Sequence, residues 1–419
     1  MGFKYVGDEL ICDGIAISSI VREVDTPFYL YSSNQITENF NSYKEGFAAL
    51  NPLICYACKA NTNLAVLKLL ANLGSGADIL SYGELFKVLA AGIQPGRIVF
   101  NGNGKTKEEL IFGLDNEILM FNVDSKDEIL LLNQLAKERG KKARVALRVN
   151  PDIDPGAHPK ISTALAKSKF GIGLSLAKEG YRFALSLSNI EVVGIHAHIG
   201  SQITKIAPFI ESLKKLVQLA RELKNEGVGL EYLNLGGGLG IAYLDETPPL
   251  PSDLAGAISP IFEESSLRLI LEPGRSIVGK AGIMVTKVLY VKEGSQKNFI
   301  VVDAGMNDFI RPTLYGGYHR IIPINRKKGE EITADVVGPI CEEGDFLGRE
   351  RKMVRPSPGD HLSVLDAGAY GCAMSSTYNS RLLPAEVMTY SNNYHLIRHR
   401  QSYEDLISLE RIPEALLLR

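Results

Sequence analysis

The chain has 419 residues, 45% of them apolar and 22% charged, with a formal net charge of −2. That length accommodates two domains, one of them as large as a barrel of about 250 residues. The near-neutral balance supplies no general attraction to nucleic acid or an anionic membrane surface, so a bound anion must be held by local groups.

The first residues, MGFKYVGDELICDG, show no basic start followed by an apolar run, and no stretch nears the roughly 20 apolar residues of a membrane span. No signal peptide and no membrane association are expected. The five cysteines, Cys12, Cys55, Cys58, Cys341 and Cys372, are odd in number and lack a framework spacing. They point to a reducing compartment, hence a cytoplasmic protein. Short strands near 5–13 and 27–31 come first. Eight apolar runs then follow at 53–59 (LICYACK), 77–80 (ADIL), 97–100 (RIVF), 117–121 (EILMF), 143–149 (ARVALRV), 192–199 (VVGIHAHI), 230–235 (LEYLNL) and 267–271 (LRLIL). Stretches with apolar residues at three- and four-residue spacing lie between them, as at 63–73, 82–91 and 208–226. Strands apolar along their length and separated by helices form a parallel sheet covered by helices, and eight such units predict a closed (β/α)₈ barrel. Beyond residue 276 the runs 282–291, 298–303, 331–337 and 361–367 are rich in Val, Ile and Thr and broken by Gly, Pro and Asn, which predicts a mainly antiparallel β domain. The expected division is a barrel over 28–276 and a β domain built from 1–27 and 277–419.

Chemistry in such a barrel gathers where strands end. The ends carry Lys59, Asp78, Asn101, Arg148 with Asn150, His196 with His198, the turn Gly236-Gly237-Gly238-Leu239-Gly240, and Glu272 with Arg275. Alternation along Cys55, Ala57 and Lys59 puts Lys59 on one strand face beside small neighbours, and a desolvated lysine attacks carbonyls to form a Schiff base. An isolated strand-end lysine simply reaches into solvent; this one has two carboxylates, imidazoles and an anion-binding turn for company. The glycine turn after the seventh run offers backbone amides to a phosphate, although most glycine runs are only turns. Gly104-Lys105-Thr106 imitates the end of a P-loop, but Val99 stands where the leading glycine belongs, which excludes that reading. Cys55 and Cys58 have no second pair, and His196 with His198, on one strand face, has no carboxylate–water arrangement beside it. No metal site is expected.

The motif Tyr56-Ala57-Cys58-Lys59-Ala60-Asn61 resembles the lysine motif of the fold-type III pyridoxal-phosphate-dependent decarboxylases, which have alanine-racemase-like architecture. His198-Ile199-Gly200-Ser201-Gln202, Gly236-Gly237-Gly238, Glu272-Pro273-Gly274-Arg275 and Asp366-Ala367-Gly368-Ala369-Tyr370 follow in that family's order, over about 27–387. The resemblance implies that Lys59 carries the cofactor, Glu272 pairs with its pyridine nitrogen, His198 stacks on its ring and Asp78 bonds near the lysine linkage. It implies a phosphate held by Ser201, Gly236, Gly237, Gly238, Gly274, Arg275 and Tyr370.

Arg311-Pro312-Thr313-Leu314-Tyr315 and Cys341-Glu342-Glu343-Gly344-Asp345 resemble the versions in family members that decarboxylate meso-diaminopimelate to L-lysine, the last step of lysine biosynthesis. By that resemblance Arg275, Arg311 and Tyr315 grip the distal carboxylate, Tyr370 also meets the substrate, Glu342 reads the distal ammonium and Cys341 is the proton donor. Cys341 and Glu342 are then supplied across a homodimer interface. Glu343 departs from the serine usual there, and Lys160 and Ala164 depart from the family's loop over 154–164. Ornithine, arginine or a carboxylated polyamine remain as alternative substrates, as does a non-catalytic regulatory homologue. A cationic substrate tail calls for an acidic residue opposite it, not Arg311 and Tyr315.

Overall fold

The computed structural model describes residues 2–156 and 168–417 and divides into two compact units, 35–279 and 2–34 with 280–417. The expected loop residues Lys160 and Ala164 lie outside the described residues.

In the first unit eight parallel strands run in chain order: β1 (Leu53–Ala57), β2 (Gly76–Ile79), β3 (Ile98–Phe100), β4 (Met120–Val123), β5 (Ala143–Asn150), β6 (Ile190–His196), β7 (Tyr232–Asn234) and β8 (Arg268–Leu271). Each pairs with the next, and β8 returns to β1 with Ile270 opposite Leu53, which closes the barrel. Helices alternate with the strands because the intervening sequence has a helical apolar stripe. Ala207–Asn225, for example, buries Phe209, Leu213, Leu216, Ala220 and Leu223. Several helices start on a side-chain cap: Asn63, Ser81 and Ser125 each accept a backbone N–H of the first turn, and Thr106 with Glu109 forms a capping box. A cap of this kind contributes about 1 kcal/mol.

Cys55, Val99, Met120, Ala146, Tyr232 and Ile270 pack in one apolar cluster contributed by six strands. Side chains two residues apart on a strand share a face. The positions two residues beyond five of these are Asn101, Asn122, Arg148, Asn234 and Glu272. Strand periodicity thus stacks a polar layer above an apolar plug, at the C-terminal ends of the strands.

The second unit holds a sheet in the order Phe346–Val354, Glu331–Val337, Asn298–Val302, Gly282–Lys292, Phe28–Ser32, Ala385–Tyr390, Asn393–Arg398. Two of its pairings are parallel, Asn298–Val302 with Glu331–Val337 and Phe28–Ser32 with Ala385–Tyr390; the rest are antiparallel. Residues 28–34, expected with the barrel, belong here. Phe28 and Leu30 enter this unit's core with Ile283, Val285 and Val387. On the other face Tyr29 donates to the Asp308 carbonyl at 2.6 Å and Tyr31 to Glu386 at 2.7 Å, so both sides of the strand are satisfied within the β unit.

Candidate active site

β1 ends at Ala57, and Cys58–Ala60 forms a 3₁₀ turn. Lys59 therefore sits on a turn rather than in the strand alternation expected for it. From there its Nζ reaches Asp78 Oδ2 at 2.8 Å; the lysine side chain keeps 31% of its surface exposed while Asp78 is fully buried. Burial pushes the Asp78 carboxyl up, against the pull of Lys59 and with a push from Glu272. Glu272, just past β8, is buried too. Its Oε1 accepts the amides of Asn101 at 2.8 Å and Asn234 at 2.7 Å, while Oε2 lies 3.4 Å from His196 Nε2. Burial alone would raise this carboxyl, but His196 and Lys59 beside it hold it well below the usual carboxylate range.

Asn234 also accepts the Gly236 N–H at 2.9 Å, which ties the glycine turn to the carboxylate network. Gly236 and Gly238 have positive φ, and a Cβ on Gly237 would stand 2.0 Å from the Glu272 carbonyl oxygen. Only glycines fit a turn packed this closely against its neighbours. The Gly237 N–H donates to His198 Nδ1 at 3.2 Å. Burial first, and then the nearby Lys59 and Arg148 cations, push the His198 ring well below its usual range, so it is neutral. The strand ends at His196, so the two histidines do not share a strand face as expected. His196 turns to Glu272, and His198 to the glycine turn. Arg275 donates to Ser201 Oγ at 3.1 Å and to Tyr243 Oη at 2.7 Å, beside Gly274, whose Cβ would meet Ala57 and Ala60 at 3.0 and 3.2 Å.

Lys59, Asp78, His198, Ser201, Gly236, Gly237, Gly238, Glu272, Gly274 and Arg275 therefore gather in the barrel unit. Asn122, Asn234 and Tyr243 join them unannounced by the sequence reading. The signal for the two asparagines was present: each is a polar residue two positions after an apolar plug residue, at the end of a strand. Lys105, by contrast, is structural, its ammonium buried on the carbonyls of Gly102 and Asn122 and on Glu128.

The other expected residues lie in the β unit. Arg311 and Tyr315 bound a one-turn helix; the Arg311 guanidinium is buried, and its carbon lies 5.7 Å from the Tyr315 ring. Arg311 Nε donates to His319 Nε2 at 3.3 Å, which places the imidazole proton on Nδ1, bonded to the Leu365 carbonyl at 2.9 Å. Between them Thr313 donates to the Gly344 carbonyl, which binds this helix to the loop of Cys341 and Glu342. Buried Asp345 holds that loop by accepting the N–H groups of Met306 and Ile340, both at 2.6 Å. Cys341, Glu342 and Glu343 are exposed on it; Cys341 N–H bonds Asn379, and Glu342 accepts the Tyr378 hydroxyl. Tyr370, half-buried, adopts a positive φ of 55°. Among the described residues no group of three or more His, Cys, Asp and Glu side chains has the arrangement of a metal site, and no helix is long and apolar enough to cross a membrane.

Residues 33–279 match the family described as pyridoxal-dependent decarboxylase, pyridoxal binding domain. The chain is 49% identical to diaminopimelate decarboxylase of Aquifex aeolicus, over 96% of each chain. Its fold is similar to the crystal structure of diaminopimelate decarboxylase from M. jannaschii in co-complex with L-lysine, with TM-score 0.95, 42% identity and coverage of 99% of this chain and 98% of that one. The Helicobacter pylori enzyme complexed with L-lysine is similar at TM-score 0.91 and 42% identity, over 94% of this chain and 99% of that one.

Proposed function

The chain belongs to the diaminopimelate decarboxylases of the pyridoxal-dependent decarboxylase family, and on that premise we propose which of its residues carry the reaction. The reaction converts meso-diaminopimelate to L-lysine and carbon dioxide, the last step of lysine biosynthesis, with pyridoxal phosphate as cofactor. When bound, pyridoxal phosphate supplies an electron sink for the pair of electrons left on carbon as carbon dioxide departs.

The barrel mouth fits that cofactor. Both asparagine amides fall on Glu272 Oε1 and His196 lies against Oε2, so the carboxylate that would pair with the ring nitrogen is held ionised, as a protonated pyridine requires. The other imidazole nitrogen of His196, Nδ1, is buried and has no hydrogen-bond partner among the described residues. That is a polar gap beside the same carboxylate. Lys59 holds the cofactor through Nζ, with Asp78 as counter-ion. His198, neutral, offers a ring face for stacking. The glycine turn, Gly274, Ser201, Arg275 and Tyr370 hold the phosphate, since a dianion wants several N–H and O–H donors and a cation.

Arg275, Arg311 and Tyr315 take the distal carboxylate and Glu342 the distal ammonium; Tyr370 also meets the substrate. Cys341 Sγ–H delivers a proton to the carbon that has lost its carboxylate. The bond from Thr313 to Gly344 holds the Arg311 helix and the Cys341 loop together within one chain, so a second copy would present both elements in fixed register. Exposure of Cys341 and Glu342 on one loop supports their insertion into the site of a second copy in a homodimer. Five free cysteines support a cytoplasmic enzyme.

The observation that carries the reading is the Lys59–Asp78–Asn101–Glu272 chain of contacts, a reactive amine and a ring partner set by one network. Incubating the purified protein and pyridoxal phosphate with meso-diaminopimelate, ornithine, arginine and a carboxylated polyamine in parallel tests it. L-lysine and carbon dioxide in equal amounts from the first alone is the expected result; faster release from any of the others overturns the substrate assignment.

A further inference from the structure

Asn101 stands between the two carboxylates of the barrel mouth, a link in that chain of contacts with no role of its own assigned so far. Its Nδ2 lies 2.6 Å from Asp78 Oδ1 and 2.8 Å from Glu272 Oε1, and its Oδ1 accepts the Asn122 amide at 2.8 Å. A carboxamide nitrogen has two hydrogens, one for each carboxylate. The flipped amide would aim an acceptor at two carboxylates and a donor at the Asn122 amide, so the orientation is fixed by its partners.

Two buried carboxylates this close, one donor apart, ordinarily share a proton, because the low dielectric penalises a second negative charge. The other groups that face them contribute little extra positive charge. Lys59 and Arg148 are the cations, with His196 against Glu272. His198 is neutral, burial pushes the Cys55 and Cys58 thiols far up, and burial with Asp78 nearby pushes the Glu84 carboxyl up to about 7. A neutral double donor adds to these cations, reaching both carboxylates at once without adding charge of its own.

We propose that Asn101 is a positioning residue of the decarboxylation site, which by giving one amide hydrogen to Asp78 and one to Glu272 keeps both ionised, so that Asp78 holds the Lys59 ammonium while Glu272 holds the cofactor's ring nitrogen protonated. This rests on the reading of Lys59 and Glu272 given above. The two carboxylates depend on Asn101 unequally. Glu272 retains Asn234 and His196, whereas the side-chain partners of Asp78 among the described residues are Lys59 and Asn101. Loss of the donor therefore protonates Asp78 first, and Lys59 loses its counter-ion.

The test replaces Asn101→Leu, similar in size and without donors, and follows Lys59 itself. In cofactor-free full-length protein, labelling of the Lys59 peptide by trinitrobenzenesulfonate is measured against pH. Without a charged Asp78 the midpoint falls by about one to three pH units, the usual effect of an opposite charge at this distance. In the holoenzyme the cofactor's absorbance gains a titration step, between about pH 6 and 9, that the wild type lacks. Asn122→Leu, which leaves both carboxylates their donor but unfixes it, shifts the same midpoint by less and serves if the first variant does not fold. A folded Asn101→Leu protein, or failing that Asn122→Leu, whose Lys59 midpoint equals that of the wild type overturns the proposal. A fallen midpoint with unchanged cofactor absorbance instead overturns the placing of Lys59 and Asp78 at the cofactor, on which the proposal rests.

Discussion

In the barrel unit, Asp78 and Glu272 lie buried with a lysine, a histidine and three amide donations arranged around them. In the β unit, Cys341 and Glu342 stand exposed on a loop that is itself anchored by a buried carboxylate, Asp345. The first arrangement is finished inside one unit: every charge has its compensating group, and desolvation makes each contact count. The second fixes the loop backbone firmly and leaves the Cys341 and Glu342 side chains on the surface, where Glu342 accepts the Tyr378 hydroxyl. The difference suits a reaction in which the cofactor's chemistry is constant while the substrate's far end must be recognised separately.

The sharpest way to break the comparison is to remove the finished half. Lys59→Ala takes away the amine paired with Asp78, and carbon dioxide release should fall by roughly 10⁴-fold or more with the fold intact. Near wild-type release by the folded variant would dismiss the barrel mouth as the reaction centre. Glu272→Gln keeps the hydrogen-bonding shape but removes the charge; about 3 kcal/mol of transition-state stabilisation lost lowers kcat more than a hundredfold, with cofactor still bound. A kcat within twofold of wild type counts against it.

Arg311→Ala tests the β unit. Loss of a charge-assisted contact worth about 1.5–3 kcal/mol should raise KM for meso-diaminopimelate roughly 10- to 150-fold. An unchanged KM would place the distal carboxylate elsewhere.

The smallest effect concerns how each unit treats a buried carboxylate. Asp308 of the β unit has a single backbone donor among the described residues, Gly305 N–H, and burial pushes its carboxyl up to about 7 although Arg381 lies near. Between its unfolded value near 3.8 and about 7 the folded protein binds the extra proton. Stability is therefore full below the lower value and declines as pH rises through that window. Asp308→Asn removes the titration and keeps the acceptor. Urea unfolding should show it more stable than wild type at pH 8, and the gain should shrink toward pH 4. A gain independent of pH would refute this account of Asp308.

Much of this was legible before any coordinates. The eight apolar runs stood out because parallel strands buried on both faces have no polar alternation to obscure them. Lys59, Glu272 and Arg311 stood out because each sits in a distinctive motif. Phe346–Val354 escaped notice because it is an edge strand with charges at four of its nine positions (FLGRERKMV), which reads as a polar loop. Asn122, Asn234 and His319 escaped because their meaning depends on register: which strand positions face inward, and which turn faces Arg311, is decided by pairing across the sheet rather than by neighbours in the chain. Phe28–Ser32 was misassigned for a related reason, since a strand apolar on both faces fits either unit until its partners are known.

Whether the open half of the site is completed by a second chain is the question on which the contrast turns. Arg311→Ala and Cys341→Ala are each expected to be nearly inactive, the first through KM and the second through kcat. Mixed under conditions that exchange subunits, they form hybrid dimers in which one site has both lesions and the other has neither. With random exchange half the dimers are hybrid, so activity should recover to roughly a quarter of wild type per site. No recovery, with exchange demonstrated by native mass spectrometry, would mean that Arg311 and Cys341 serve a site built within one chain.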